Sequence, residues 1–263
     1  MNVSNQHPLL KIKLIFFAIS AFFLVFTAVT VVVFLTVFRV HAVDIENCKY
    51  SSKENIEKSS GVEIGMHMYA IDKAKMEEAI IAENPFVNDV RITRKSATTL
   101  CITLTEDAPR FYIVLDGKYF VLSDTLRVLA EYNNMDELSA LALAPISLPK
   151  VEEAPLGKTL IFTEETEADG KECIDILSIL AESTLSGTIT SADVSERFDL
   201  RFTYKDKYEI RFGSPKNFAD KLALVTDTIE YLEDPINGYS TAKGIIHASV
   251  TGETFFEATG AIS

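Results

Sequence analysis

Histidine, cysteine, serine and clustered carboxylates are the side chains that carry most protein chemistry, and their spacing here offers little of it. The four histidines, His7, His41, His67 and His247, are far apart in the chain. Neither the His-Glu-x-x-His pair that holds zinc nor the Gly-x-Ser-x-Gly nucleophile turn occurs. Ser147-Leu148-Pro149-Lys150 has the Ser-x-x-Lys spacing. That spacing serves acyl transfer when a helical turn sets Lys beside Ser, and Pro149 disfavours helix at Leu148, so a polar loop is expected. Cys48, Cys101 and Cys173 make an odd set without a Cys-x-x-Cys, which excludes zinc ribbons and thioredoxin-like redox sites. Cys48 and Cys101 could pair only with Cα atoms within about 7 Å, and thiols are the expectation. Glu152-Glu153 and the Glu164–Asp169 cluster lack the turn glycine and fixed oxygen spacing of a calcium loop, so they read as solvated faces. No catalytic residue, cofactor or metal is therefore expected.

The elements that could position a binding site are more informative. The chain has 263 residues, 25 Lys and Arg against 38 Asp and Glu, and a formal net charge of -13. An acid excess argues against nucleic acid, because phosphate recognition needs clustered cations. The charge is uneven. Residues 1–38 hold Lys11 and Lys13 and no acid; residues 39–107 hold 9 basic and 12 acidic residues; residues 108–263 hold 14 and 26. Most of the acidity thus belongs to the last segment, where it favours solubility and disfavours non-specific contact with anionic polymers and lipids.

Leu14 to Phe38 is an uncharged run of 25 residues. As a helix it would reach roughly 37 Å, against a hydrocarbon core of about 30 Å. The hydroxyls of Ser20, Thr27, Thr30 and Thr36 can bond back to helix carbonyls. A cleaved signal peptide is the competing reading, with Val40-His41-Ala42 as a loose site. Its apolar region would be shorter, and Arg39 intervenes. No second run approaches this length, so a single crossing is expected. Lys11 and Lys13 place a tail of residues 1–13 in the cytoplasm and the remainder outside.

Residues 39–107 read as strand, helix, helix, strand, strand. His41–Asn47 is the first strand. Ser51-Ser52-Lys53-Glu54 has the form of a capping box before a helix that ends at Gly61. Asp72 caps a second helix, with Met76, Ala79 and Ile80 on its apolar face, that stops at Asn84-Pro85. Val87–Thr93 and Thr98–Thr105 follow as strands. Residues 108–250 read as a β-rich domain with packed helices. Arg110–Leu115 and Lys118–Ser123 flank an Asp116-Gly117 turn. Ala168–Ala181 is a helix with Ile174, Leu177 and Leu180 aligned. Phe198, Leu200, Phe202 and Tyr204, then Tyr208, Ile210 and Phe212, alternate with polar residues as an antiparallel hairpin. Ser214 and Pro215 begin a helix carrying Phe218, Leu222, Val225, Ile229 and Leu232. Lys243–Val250 is expected as a final edge strand, with Ile245 and His247 on one face and Ile246, Ala248 and Val250 on the other. Residues 251–263 are expected to fray. The fold class is α+β.

This order of segments resembles the FtsQ/DivIB family of bacterial division proteins, and residues 39–107 resemble its POTRA domain. Gly61-Val-Glu-Ile-Gly65 with Ile71-Asp72 is similar to the family's glycine-spaced loop. Asn84-Pro85-Phe86-Val87, Val90, Arg94-Lys95, Thr99-Leu100 and Glu106 resemble its strand-hairpin signature. Gly117-Lys118-Tyr119-Phe120-Val121-Leu122 and Val128-Leu129 resemble its next hairpin, and Leu148-Pro149 and Phe212-Gly213 through Lys221-Leu222 later landmarks. Met66-His67, Ala97 and Ser123 depart from the pattern at turns. The resemblance implies a non-enzymatic divisome scaffold in the cell membrane at the septum. It would bind FtsL-like and FtsB/DivIC-like bitopic partners outside the membrane and help control septal peptidoglycan synthesis. It places the partner site at Ile245, Ile246, Ala248, Val250, Thr251 and Phe255. The rival readings are a membrane-anchored cell-wall enzyme or wall-binding module, which would need a nucleophile or metal cluster, and a POTRA-bearing translocation component, which would need repeated units or a barrel.

Overall fold

The computed structural model describes residues 8–138, 141–237, 239, 241–250 and 252–259. It is an α+β protein that divides into two units, residues 1–80 with 89–105, and residues 81–88 with 106–263. The expected segment 1–13 lies partly, and Thr251 wholly, outside the described residues.

The first unit begins with α1, Pro8–Val37. It is apolar all round, and its side chains from Ile12 onward find almost no protein cover. Residues 12–37 are the one stretch among the described residues long and apolar enough to cross a membrane. Thr27, Thr30 and Thr36 donate to the carbonyls of Phe23, Phe26 and Val32 at 2.7–2.8 Å, so these three hydroxyls need no partner from outside the helix.

β1 (Ala42–Glu46), α2 (Lys53–Ser60), α3 (Lys73–Glu83), β2 (Val87–Arg94) and β3 (Thr99–Glu106) then follow in the expected order. The sheet order is β1-β3-β2, with β1 and β3 parallel. Leu100, Ile102 and Leu104 of β3 are buried with Ile56 of α2 and Met76 and Ile80 of α3. Gly61 closes α2 at φ 63, a left-handed angle that glycine adopts without strain. Asp72 accepts the Lys75 amide at 3.4 Å and starts α3. The capping box at α2 does not form: Ser52, not Ser51, stands at the N-cap, and its side chain makes no capping bond. Cys48 and Cys101 are thiols.

The second unit is built on a nine-stranded sheet. Its strands are β4 (Phe111–Leu115), β5 (Lys118–Leu122), β6 (Val128–Tyr132), β7 (Ala144–Ser147), β10 (Ile189–Asp193), β11 (Leu200–Tyr204), β12 (Tyr208–Gly213), β13 (Gly244–His247) and β14 (Phe255–Ala258). The spatial order is β14-β13-β12-β11-β10-β7-β4-β5-β6. A two-stranded ribbon, β8 (Val151–Glu153) and β9 (Ile161–Phe162), follows the Leu148-Pro149 loop, so Ser147 and Lys150 share no helical turn. A short helix, α4 (Met135–Leu138), and two long ones, α5 (Glu167–Ala181) and α6 (Phe218–Glu233), complete the unit.

The alternation in β11 and β12 is realised. Leu200, Phe202, Tyr204, Tyr208, Ile210 and Phe212 are all buried under α5 and α6. Three predicted details differ. Phe198 precedes the strand and is 75% exposed. The buried face of α5 is Cys173, Ile176, Leu177 and Leu180, with Ile174 on its flank. α6 begins at Phe218 after Asn217 in the left-handed region, not at Ser214-Pro215. The reason lies in Lys221, which is 1% exposed and donates to the carbonyls of Phe212 and Ser214 at 2.9 and 2.8 Å. Those carbonyls face back toward the helix, so the chain turns once more before α6 starts.

Arg127 is buried in the same unit and donates to Gly157 O, Val87 O and Asn88 Oδ1 at 2.8, 2.7 and 3.2 Å. Asp107 stands 3.6 Å from the same guanidinium. Burial outweighs that attraction and holds the Asp107 carboxyl above the usual carboxylate range.

Candidate functional site

The expected edge strand is not at the edge. β13 is covered on both sides, by β12 in parallel register (Tyr208↔Gly244 to Arg211↔His247) and by β14 in antiparallel register (Gly244↔Ala258 to His247↔Phe255). The parallel pairing follows from α6, because a crossover helix returns the chain in the same direction. The antiparallel pairing follows from the short 248–254 connection. Fraying predicted for residues 251–263 is overturned at Phe255–Ala258. These residues form the outermost strand, which among the described residues pairs only with β13.

That correction redistributes the six predicted partner residues. Ile246 and Ala248 are both 0% exposed and belong to the core beneath the strand. Ile245 is half-buried on the other face, beside Glu209 of β12 and Glu257 of β14. Val250 and Phe255 are exposed. Thr251 lies outside the described residues. The accessible subset is thus Ile245, Val250 and Phe255, with Ile246 and Ala248 fixing the strand from inside.

Sequence reasoning missed four residues that shape this edge. His247 stands directly opposite Phe255, ring centroids 5.9 Å apart, and its Nε2 lies 3.3 Å from Glu257 Oε2. Phe256 points inward against Tyr208 and Tyr239. Gly244 leaves the space in which the ring of Phe256 and the Glu257 carbonyl sit: a Cβ there would come within 2.6 and 2.2 Å of them. The signal that could have found β14 is the doublet Phe255-Phe256 followed by Glu257-Ala258. Four residues are too short for a period to be read with assurance.

The 248–254 connection is tied down by Thr254, whose hydroxyl lies 2.7 Å from that of Thr228 in α6. Between it and the strand ends is a shallow cleft of about 500 Å³ walled by His247, Val250, Glu253 and Phe255. An apolar ring, a half-buried aliphatic side chain and an unpaired strand edge are what β-strand addition requires: backbone bonds supply affinity, side-chain contacts selectivity.

Little else in the structure resembles a chemical centre. Among the described residues no group of three or more His, Cys, Asp or Glu side chains is placed to hold a metal ion. Burial, with Asp169 and Glu172 nearby, pushes the Cys173 thiol up to about 12, so it is protonated at neutral pH.

Residues 38–107 match the family described as POTRA domain, FtsQ-type. The cell division protein DivIB of Clostridium botulinum (strain Loch Maree / Type A3) is 23% identical over 235 residues, 89% of this chain and 87% of that one. DivIB of Clostridium acetobutylicum is 22% identical over 203 residues, 76% and 77% of the two chains. The cell division protein FtsQ of Corynebacterium glutamicum is 18% identical over 200 residues, 75% and 81%.

Proposed function

We propose that the chain, which is similar to FtsQ/DivIB bacterial cell-division proteins over most of its length, is a non-enzymatic scaffold of the division septum. It is held in the cell membrane by α1 with residues 1–13 in the cytoplasm. The POTRA domain of residues 39–107 and the sheet domain that follows stand outside. There it binds FtsL-like and FtsB/DivIC-like bitopic proteins and so helps control septal peptidoglycan synthesis. The observation that carries the binding part of this reading is the outer edge of β14, open among the described residues, with Phe255 exposed beside it. A strand from the partner adds to that edge, and Ile245, Val250 and Phe255 contact its side chains. The strong acidity of the same domain leaves specific protein contact a better use of this surface than anionic polymers.

A bacterial two-hybrid assay tests the site. Residues 39–263, with and without 243–263, are set against a DivIC-like ectodomain; binding that survives the truncation removes the site assignment. A fluorescent fusion imaged in dividing cells tests the role, and absence from midcell counts against it.

A further inference from the structure

The loop from Gly61 to Tyr69 is fastened to the last turns of α1, and this fixes where the loop must lie. Phe38 O accepts the Met68 amide at 2.8 Å, and Arg39 bridges to His67. The His67 ring stands 5.0 Å from that of Phe34, and Tyr69 stands 5.3 and 5.5 Å from Phe34 and Phe38. Arg39 donates to Leu35 O at 3.0 Å and to Gly65 O at 2.9 Å, joining helix and loop through one side chain. The Arg94 guanidinium lies 4.0 Å over the Tyr69 ring.

Residues 12–37 form 26 residues of helix. That is about 39 Å, longer than a hydrocarbon core of about 30 Å, so the last turn of the helix emerges into the headgroup layer. Whatever is bonded to that turn is held at the same depth. In this position Ile64 is 64% exposed, and Tyr69, packed on one side by Phe34 and Phe38, is still 51% exposed.

We propose that Ile64, Tyr69 and Arg94 form a foot that docks in the phospholipid headgroup layer. Ile64 inserts among the first acyl carbons, the Tyr69 phenol lies at the polar boundary, and the Arg94 guanidinium donates to lipid phosphate oxygens. Aromatic residues and long cations are suited to this layer because each has an apolar body and a polar tip. Arg suits phosphate because its planar fork can donate two parallel hydrogen bonds. Glu63, next to Ile64 and exposed, keeps the foot interfacial and not deeper. The inference rests on α1 being a membrane span. It adds a second membrane contact, which limits how far the first unit can tilt.

The chain has no tryptophan, so Ile64→Trp would be its sole tryptophan. Full-length I64W is reconstituted in phosphatidylcholine–phosphatidylglycerol vesicles carrying lipid-attached quenchers at either shallow or deep positions. The expected result is blue-shifted emission quenched most by the shallow label, and reduced quenching when Arg94→Gln is added. Phe23→Trp, made separately, should be quenched most by the deep label. Water-like, unquenched emission from I64W while F23W is quenched overturns the foot and leaves the span intact. Absence of quenching in both overturns the span and the foot together. I64W emission that shifts only in native membranes, never in pure lipid, assigns the loop to a protein partner and also overturns the proposal.

Discussion

Phe256 meets Tyr208 edge to face, ring centroids 5.8 Å apart and planes at 89°, across a strand that separates them in the sheet. The contact anchors the outermost strand to the core through one ring, while its neighbour Phe255 points the other way and is 64% exposed. Period-two geometry makes adjacent phenylalanines serve opposite faces.

Phe255→Ala and Phe256→Ala should therefore separate. Loss of the exposed ring should weaken partner binding about tenfold, near 1.4 kcal/mol, and leave thermal stability unchanged. Loss of the inward ring should cost about 1–3 kcal/mol of stability through the space it vacates. Affinity measured on the purified outer portion of the chain, beside thermal melts of both variants, distinguishes them. Equal melting shifts would contradict the assignment of faces.

Gly244→Ala should displace the edge strand, because the added Cβ meets the Phe256 ring and the Glu257 carbonyl. Amide exchange of residues 255–258 should accelerate, and partner binding should fall, with the α6 amides still protected. Unchanged protection of β14 would show that it accommodates the methyl group.

Arg127→Lys should not rescue Arg127→Ala. A single ammonium cannot reach Gly157 O, Val87 O and Asn88 Oδ1 together, as the guanidinium does. Both variants should lose about 2–4 kcal/mol, since buried carbonyls are left without donors. Chemical denaturation measures it, and near-wild-type stability of the Lys variant would refute the fork argument.

Asp124 gives a pH test. Burial raises its pKa above the usual value despite Arg110 at 3.6 Å. A carboxyl whose folded pKa is raised retains its proton longer in the folded state. Its contribution is thus fully present below the unfolded pKa, about 3.9, and is lost as pH rises through the folded pKa. The stability of the wild type relative to Asp124→Asn should fall with rising pH across that window. A difference that is flat or rises with pH would sink this reading.

Much of the architecture was legible because it is local. The apolar run of α1, the glycine closing α2, the Asp72 cap, and the alternation in β11 and β12 are each written within a few residues. The helix stripe from Phe218 to Leu232 lies on one face because 3.6 residues make a turn. Lys221 shows where this reading fails. On the helix it occupies a buried position, and only the returning carbonyls of Phe212 and Ser214 make that position suitable for an ammonium.

The partner edge was legible only in outline. The sequence by itself determined that Lys243–Val250 contains a strand and that an amphipathic helix precedes it. It could not determine which strand is outermost, since pairing is a property of two segments and neither carries the other's position. The tertiary structure decided it by bringing Phe255–Ala258 back along β13, where Phe256 finds Tyr208 and Gly244 leaves space for its ring. That one antiparallel pairing moved the available edge from β13 to β14 and placed Ile246 and Ala248 in the core.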